Sequence, residues 1–524
     1  MPYQSSGGRR NNVQMGVGHS IWAGTPPPAI SERVLDGIPG CLAWVALLFS
    51  IACAVAFPRA MLLIAVIVAF YSAVRFLLAG IANIMGLRKI RQWEKIDWCT
   101  LYEQSAPPDA LPWDAVRHVV IIPNYKEPLK ILDRTLELLS RQYRARERIT
   151  IVLAMEAAED GCVDKAKLLR DRYGKCFEHF YFTVHPRGLP GEMQCKSANQ
   201  AWAARWIKRK LVDELGYPMD TILVTTMDAD TIWHPRHFYA LTYLFAVHPE
   251  RHLRFWQGPI RYHANIWDIN PLMRIVNAYA TALELAYLAA PWWTPMPMSS
   301  YSLSLRLLDS SGYWDPDVIA DEWHMFIKAF FQRDGQVKLE RVFLPFLADA
   351  TTGETLFDAF RNRYLQSLRH AWGSKEVGYM VAKMLEHPEI PFSTSYHILF
   401  RISHDILLAG AGWIIMTVGS QLPLVLNPAL LEEMMTMGFA NPTFALLQIA
   451  FGLVSILGIV FWYQDVIVRP PRPRPATFTE RVLTLLSFPL LPLLTLIVVA
   501  LPTLQAQTRL LAGVPLQFRV TKKL

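Results

Sequence analysis

Two carboxylates one residue apart, Asp228 and Asp230, close the apolar run Val224-Thr-Thr-Met-Asp-Ala-Asp-Thr-Ile-Trp233. Val, Ile and Thr crowd this stretch, so it reads as a β-strand, and side chains two apart on a strand share a face. At a strand end both can turn toward one hard divalent cation, Mg2+ or Mn2+. A cation gripped only by carboxylates keeps open positions that a diphosphate can fill, which points to transfer from a nucleoside diphosphate donor. An acidic turn after a strand is also an ordinary solvated feature, so the pair needs support from the rest of the chain.

Support comes from two further strand ends. The run Val119-Val-Ile-Ile-Pro-Asn124-Tyr-Lys-Glu127 is followed by apolar residues at helical intervals over 129–142, and a second run over 149–155 ends in Glu156. Buried strands alternating with helices predict a doubly wound α/β sheet, whose ligand crevice lies beyond the carboxyl ends of the strands. All three polar clusters fall at such ends. Glu127 and Glu156 can accept hydrogen bonds from a base or ribose there, or else stand as solvated strand-end carboxylates. Lys196, with Asn199 beside it on a helix, can neutralise phosphate charge, an effect worth most in a desolvated cleft.

The elements that position these groups belong to a chain of 524 residues, 52% hydrophobic, with a mean hydropathy of +0.20. Apolar stretches over 41–57, 60–84, 406–426, 442–462 and 482–501 approach the roughly 20 residues that cross a bilayer. Between the second and third lie some 300 residues of globular composition, enough for a catalytic domain with its own core. Arg88, Lys89 and Arg91 follow the second stretch and Arg469, Arg472, Arg474 and Arg481 follow the fourth, whereas 421–442 has no Lys or Arg. This asymmetry predicts a cytosolic catalytic domain. Arg75 falls near the inner end of the second span, where it can snorkel. The net charge of +8 is accounted for by these loops, with no need of nucleic acid; anionic lipid or a diphosphate donor is the other use for it. The six cysteines show no paired metal spacing and are expected as free thiols.

Read together, these motifs resemble the membrane-integrated family 2 glycosyltransferases, the group that includes cellulose and hyaluronan synthases. Ile121-Ile-Pro-Asn124-Tyr-Lys-Glu127 is similar to the family's opening strand end, Asp228-Ala-Asp230 to its metal-binding Asp-x-Asp, and Lys196-Ser-Ala-Asn199 to its lysine helix. Gln257-Gly-Pro resembles Gln-x-Pro. Ser311-Gly-Tyr-Trp-Asp315 followed by Ala320-Asp-Glu-Trp-His324 stands where the family has Gly-Gly-Phe-Asp and Thr-Glu-Asp, and Gln366-Ser-Leu-Arg-His370 stands where it has Gln-x-x-Arg-Trp. Phe518-Arg-Val-Thr-Lys-Lys523 resembles the gating segment of cellulose synthases.

The resemblance implies an α/β GT-A-like cytosolic domain joined to an all-α transmembrane region, in an integral protein of the plasma (inner) membrane. It implies an inverting hexosyltransferase that uses a nucleoside diphosphate sugar, by family habit a UDP-sugar, and passes the sugar to a glycan or lipid-linked acceptor. The expected organisation is a mobile cytosolic tail over 1–39, a transmembrane hairpin over 40–86, an interfacial helix and linker over 87–114, and the GT-A-like domain with interfacial helices over 115–395. A C-terminal transmembrane region over 396–514 and a cytosolic gating-like tail over 515–524 follow. A bent or re-entrant pair between Val482 and Val514, giving six crossings or an equivalent even count, would return that tail to the cytosol. Donor-binding residues carried over are Asn124, Glu127, Glu156, Lys196, Asp228, Arg369, Thr521 and Lys523, and acceptor-binding ones are Gln257, Trp323, Gln366, His370 and Trp372. Asp228 and Asp230 are the metal ligands. Nothing in the sequence specifies an oligomer.

Two departures qualify the match. The catalytic base is the last acid of Thr-Glu-Asp; the alignment puts Glu322 there and Asp321 on the preceding position, a reversal of carboxylate order, with Asp321 as the alternative base. His324 reads as a histidine satisfied beside Trp323. His370 replaces an indole that stacks on the acceptor, and imidazole stacks less, which turns attention to a lipid-linked or otherwise unusual acceptor. A transporter and a binding-only pseudoenzyme are the competing classes. The first lacks repeated halves and, apart from Arg75 and the pair His404 and Asp405, intramembrane ionisable groups.

Overall fold

The structure, a computed structural model, describes residues 30–515. Thr521 and Lys523, the rest of the gating-like segment and residues 1–29 of the expected tail therefore lie outside the described residues.

Among the described residues, ten strands form two sheets: β1 Arg117–Asn124, β2 Ile149–Glu156, β3 His179–His185, β4 Ile222–Thr226, β5 Ile232–Trp233, β6 Arg254–Gln257, β7 Ile260–Arg261, β8 Tyr301–Ser304, β9 Lys338–Arg341 and β10 Phe346–Leu347. The large sheet has the order β3-β2-β1-β4-β8-β6-β9, and the small one β5-β10-β7. β1, β2, β3 and β4 are mutually parallel, whereas β8 runs antiparallel to both β4 and β6. β1 and β2 are apolar on both faces because helices cover both. Val119, Ile121, Val152 and Ala154 join one core with the Lys196–Lys208 helix, while Val120, Ile122, Ile151 and Leu153 join the other with the Leu129–Ser140 and His237–Val247 helices. The α/β domain joined to an apolar helical region is the architecture expected.

Among the described residues, four helices are long and apolar enough to cross a membrane: Glu32–Ala56, Pro58–Trp93, Pro442–Val466 and Phe478–Ala512. A fifth run, Phe392–Gly412 with Ile415–Leu426, is bent by 42°. Their boundaries correct the expected ones. The first helix begins at Glu32, within the segment assigned to the tail, because Leu35 packs on the Lys375–Glu386 helix and Asp36 pairs with Lys375 at 3.1 Å. There Gly378 is required: a Cβ would fall 2.4 Å from the Leu35 carbonyl oxygen. The second helix runs unbroken to Trp93, so no separate interfacial helix starts at residue 88; the short Trp98–Ser105 helix follows, capped by Asp97.

The C-terminal region differs more. Arg59 meets Glu433 at 2.8 Å and Leu62 packs with Leu430 and Met434, at the end of the helical layer remote from the sheets. Glu32, Trp93, Phe392 and Val466 mark the domain end. Phe478–Ala512 starts at the domain end, where Glu480 pairs with Arg274 at 3.2 Å, and also finishes there: Tyr364 donates to Gln505 at 2.7 Å and Arg33 to the Leu510 carbonyl at 2.7 Å. By composition it qualifies as a span; both of its ends contact the domain, while in its middle the Pro492 carbonyl accepts from Trp413 Nε1 at 3.3 Å, within the helical layer. Where a bent or re-entrant pair is expected between Val482 and Val514, the chain forms one helical run, Phe478–Ala512, and the bent pair lies at 392–426. Pro489, Pro492 and Pro502, with a π-helical turn at Leu496–Ala500, interrupt regular helix bonding and let the run return to the domain. The end of this helix, held by Arg33 and Tyr364, lies on the domain side.

Candidate active site

The parallel register aligns the carboxyl ends of β1 and β2, Asn124 opposite Met155, and sets Ile121 opposite Thr226 just before Asp228. A cavity of about 400 Å³ opens beyond these ends. Of the residues singled out in the sequence, Asn124, Glu127, Glu156, Lys196, Asp228, Asp230, Asp321, Glu322, Trp323, Gln366, Arg369 and His370 line it.

Carboxylates gather around one ammonium. Lys196 Nζ stands 2.8 Å from Asp228 Oδ1 and 3.6 Å from Glu322 Oε1, and donates to the Ser299 carbonyl at 3.0 Å. Burial opposes its charge, but Asp228, Asp321 and Glu322 hold its pKa well above the ordinary lysine value. Ser299 Oγ donates to Asp228 Oδ2 at 2.8 Å, from a residue with φ +56°, a left-handed conformation that non-glycine residues avoid. Asp230 is buried and its Oδ2 accepts from the Asp349 backbone N–H at 3.0 Å.

The two acids of the Asp321–Glu322 pair are held differently. Asp321 is buried and accepts a hydrogen bond from Gln200, whose own carbonyl oxygen accepts from Thr226 Oγ1 at 2.7 Å. This chain ties Asp321 to the strand end. Glu322 is less buried and turns toward Lys196 and the cavity. Burial, followed by the charge of Asp321, raises its pKa to about 7. His324 is clamped between Asp315 at 2.8 Å and Glu376 at 3.1 Å; burial works against its charge, yet these carboxylates lift its pKa to about 9. It is a structural cation that fixes the start of the Asp321–Gln332 helix.

The Leu356–Ala371 helix forms the opposite wall. Gln366 accepts from Thr351 Oγ1 at 2.6 Å and from Arg363 at 2.8 Å. His370 is exposed to the cavity; desolvation by the surrounding protein, then the charges of Arg369 and Arg363, lower its pKa below the ordinary histidine value, which favours the neutral imidazole. Arg363 was not singled out in the sequence. It lies three residues before Gln366 and seven before His370, so helical periodicity alone puts it on their face. Glu284, Tyr262, Ser299 and Asp349 also line the cavity. Glu284 had a faint signal as the lone acid in an apolar helix, Pro271–Ala289, and burial raises its pKa to about 7. The others sit in loops or at element ends with no periodic signal.

Two residues expected at the acceptor, Gln257 and Trp372, do not line this cavity. Gln257 is buried, donates to the Gly258 carbonyl at 2.7 Å and accepts from the Met298 N–H at 2.9 Å, so it braces the loop behind the cavity. Trp372 packs with Leu368, Ala371 and Ala506, away from the cavity, because side chains two apart on a helical turn diverge.

Among the described residues no group of three or more His, Cys, Asp or Glu side chains gathers closely enough to hold a metal ion. Asp228 and Asp230 fit a divalent cation only as a partial set, completed by oxygens of a bound diphosphate.

Comparison with protein-family models gives no match, and comparison with curated proteins gives none. Among solved structures, the chain is similar to the mannosyltransferase PcManGT from Pyrobaculum calidifontis in complex with GDP-Man and Mn2+, with 16% identity and a TM-score of 0.40, over 76% of this chain and 99% of that one. It is also similar to TarS of S. aureus, with 10% identity and a TM-score of 0.30, over 67% of this chain and 53% of that one. The chain thus spans about half the length of TarS.

Proposed function

We propose that this protein is a membrane-embedded, inverting, metal-dependent hexosyltransferase of the family 2 type, acting on a nucleoside diphosphate sugar, with uridine favoured by the motif resemblance. Its acceptor is a glycan, in polysaccharide synthesis coupled to secretion. The α/β domain lies in the cytosol and the apolar helices in the plasma (inner) membrane. The observation that carries this reading is the convergence of Glu322, Lys196 and the Asp228–Asp230 pair in one cavity at the carboxyl ends of parallel strands.

In this mechanism Glu322 takes the proton from an acceptor hydroxyl while that oxygen attacks the anomeric carbon and the nucleoside diphosphate departs. Lys196 and Arg369 supply positive charge to the leaving diphosphate in a cavity of reduced polarity. A Mg2+ or Mn2+ ion held by Asp228 and Asp230 would supply Lewis-acid stabilisation of that leaving group. Asp321 acts through Gln200 and the helix start as a positioning residue. Glu127 and Glu156 accept from the base or ribose, and Trp323, Gln366 and His370 line the path of the acceptor.

A second reading, a non-processive transferase with a lipid-linked acceptor, is favoured by one observation: His370, a neutral imidazole, stands where an indole would grip a polymer. Purified protein incubated with a panel of sugar nucleotides, with and without Mn2+ or Mg2+, tests both. Release of nucleoside diphosphate from none of them would end the glycosyltransferase reading, and product length by mass separates the two acceptors.

A further inference from the structure

The seam between the Pro58–Trp93 and Phe392–Leu407 helices carries charge that the mechanism above does not use. Arg75 donates through Nη2 to Tyr287 Oη and to Asp405 Oδ1, the latter at 3.1 Å. Arg401 pairs with the other oxygen of Asp405, donates from Nε to the Thr294 carbonyl at 3.2 Å, and lies 4.6 Å from the ring of Tyr287 and 5.2 Å from that of Trp293. His404 Nδ1 stands 3.2 Å from Asp405 Oδ1, and its Nε2 meets Tyr71 Oη. Two guanidinium groups thus share one carboxylate. A further acid, Glu284, lines a small cavity together with Arg401, Tyr287 and Gln257, and also lines the catalytic cavity.

Three observations indicate what the seam takes. Arg75, whose guanidinium carbon lies 5.6 Å from the Tyr287 ring, donates hydrogen bonds through Nη2, and among the described residues Nε and Nη1 have no hydrogen-bond partner; its side chain keeps 20% exposure. Its depth is also specific. Arg75 is 17 residues beyond Pro58 (75 − 58), the end of the helix remote from the domain. At about 1.5 Å per residue that is about 26 Å, against a hydrocarbon thickness of roughly 30 Å, so the guanidinium reaches the headgroup level of the domain-side leaflet. Tyr71, Tyr396 and Phe400 nearby are exposed, as lipid-facing side chains are. At that level the anionic acceptors are lipid phosphates, which form charge-assisted hydrogen bonds with a guanidinium whose Nε and Nη1 are not taken up by the described residues. The small cavity behind Arg401, about 20 Å³, holds about one water and admits no sugar ring.

We propose that Arg75, assisted by Arg401, binds the phosphate headgroup of a membrane lipid that carries the acceptor, and so holds that acceptor beside the catalytic cavity. This rests on the glycosyltransferase reading above and specifies the acceptor of its second form.

The test is native mass spectrometry of the full chain in detergent, with farnesyl phosphate as probe and no sugar nucleotide present. The wild-type chain should retain the probe, and Arg75→Gln should weaken retention about tenfold, the loss of one charge-assisted contact of about 1.4 kcal/mol. Arg75→Lys keeps the charge and should stay within about threefold, which separates loss of the site from loss of the fold. Farnesol and inorganic phosphate should not compete. Unchanged retention by Arg75→Gln, or displacement of the probe by phosphatidylglycerol or inorganic phosphate at equal concentration, would overturn the proposal. The readout needs no donor, so such a failure leaves the donor site standing. Unaltered nucleoside diphosphate release by Asp230→Asn would instead remove the reading on which the proposal rests.

Discussion

Glu322 Oε1 stands 3.6 Å from Lys196 Nζ, whose nearer partner is Asp228 at 2.8 Å. One ammonium therefore balances both the proposed base and one half of the proposed metal pair. When a diphosphate arrives, the same lysine is in reach of its charge, so donor binding and the state of the base are coupled through a single side chain.

Glu322 should govern the acid side of the pH profile. Its pKa is raised to about 7 by burial and by Asp321, and a base works only when deprotonated, so kcat/KM should climb as pH rises through about 7 and level off above it. Glu322→Gln should remove that limb and cost about two to four orders of magnitude in turnover. A profile that keeps its limb in Glu322→Gln would transfer the role to another group.

Asp321→Asn should act mainly on stability. It turns the charge-assisted bond from Gln200 into one to a neutral amide oxygen, so a loss of about 1 kcal/mol is expected by thermal or chemical unfolding, with a smaller fall in turnover than Glu322→Gln causes. The opposite ranking of the two variants would make Asp321 the base.

Removal of the divalent cation should stop transfer. With excess chelator, release of nucleoside diphosphate should fall to background and return on adding Mn2+ or Mg2+, and Asp230→Asn should fold but not respond to either ion. Full activity in chelator would separate Asp228 and Asp230 from any metal.

His370 and Trp372 should behave oppositely. His370→Ala should raise the KM for acceptor while donor hydrolysis persists, and His370→Trp should be tolerated because the ring borders open cavity. Trp372→Ala removes packing against Leu368 and Ala506, so it should lower thermal stability and leave the acceptor KM in place.

The strand ends that carry Asn124, Glu156 and Asp228 were legible in the chain because both-face burial forces long apolar runs, and the residue that ends such a run is where a ligand crevice opens. Lys196, Glu322, Gln366 and His370 were legible as motif positions. Arg363 was within reach of the same helical periodicity. Sequence could not separate Asp321 from Glu322, since adjacent helical residues differ only in direction. The bond to Asp321 from Gln200, 121 residues away, and the turn of Glu322 toward Lys196 and the cavity support Glu322 as the proposed base. Nor could it tell that Gln257 and Trp372 turn from the cavity, or that Phe478–Ala512 begins and ends against the α/β domain. Hydropathy reports whether a segment tolerates an apolar environment. Which neighbours supply that environment depends on contacts such as Glu480 with Arg274 and Gln505 with Tyr364, which form only when distant parts of the chain meet. Local pattern therefore determined the elements and most of the chemistry they carry, and tertiary packing decided which side chains face the cavity and which brace it.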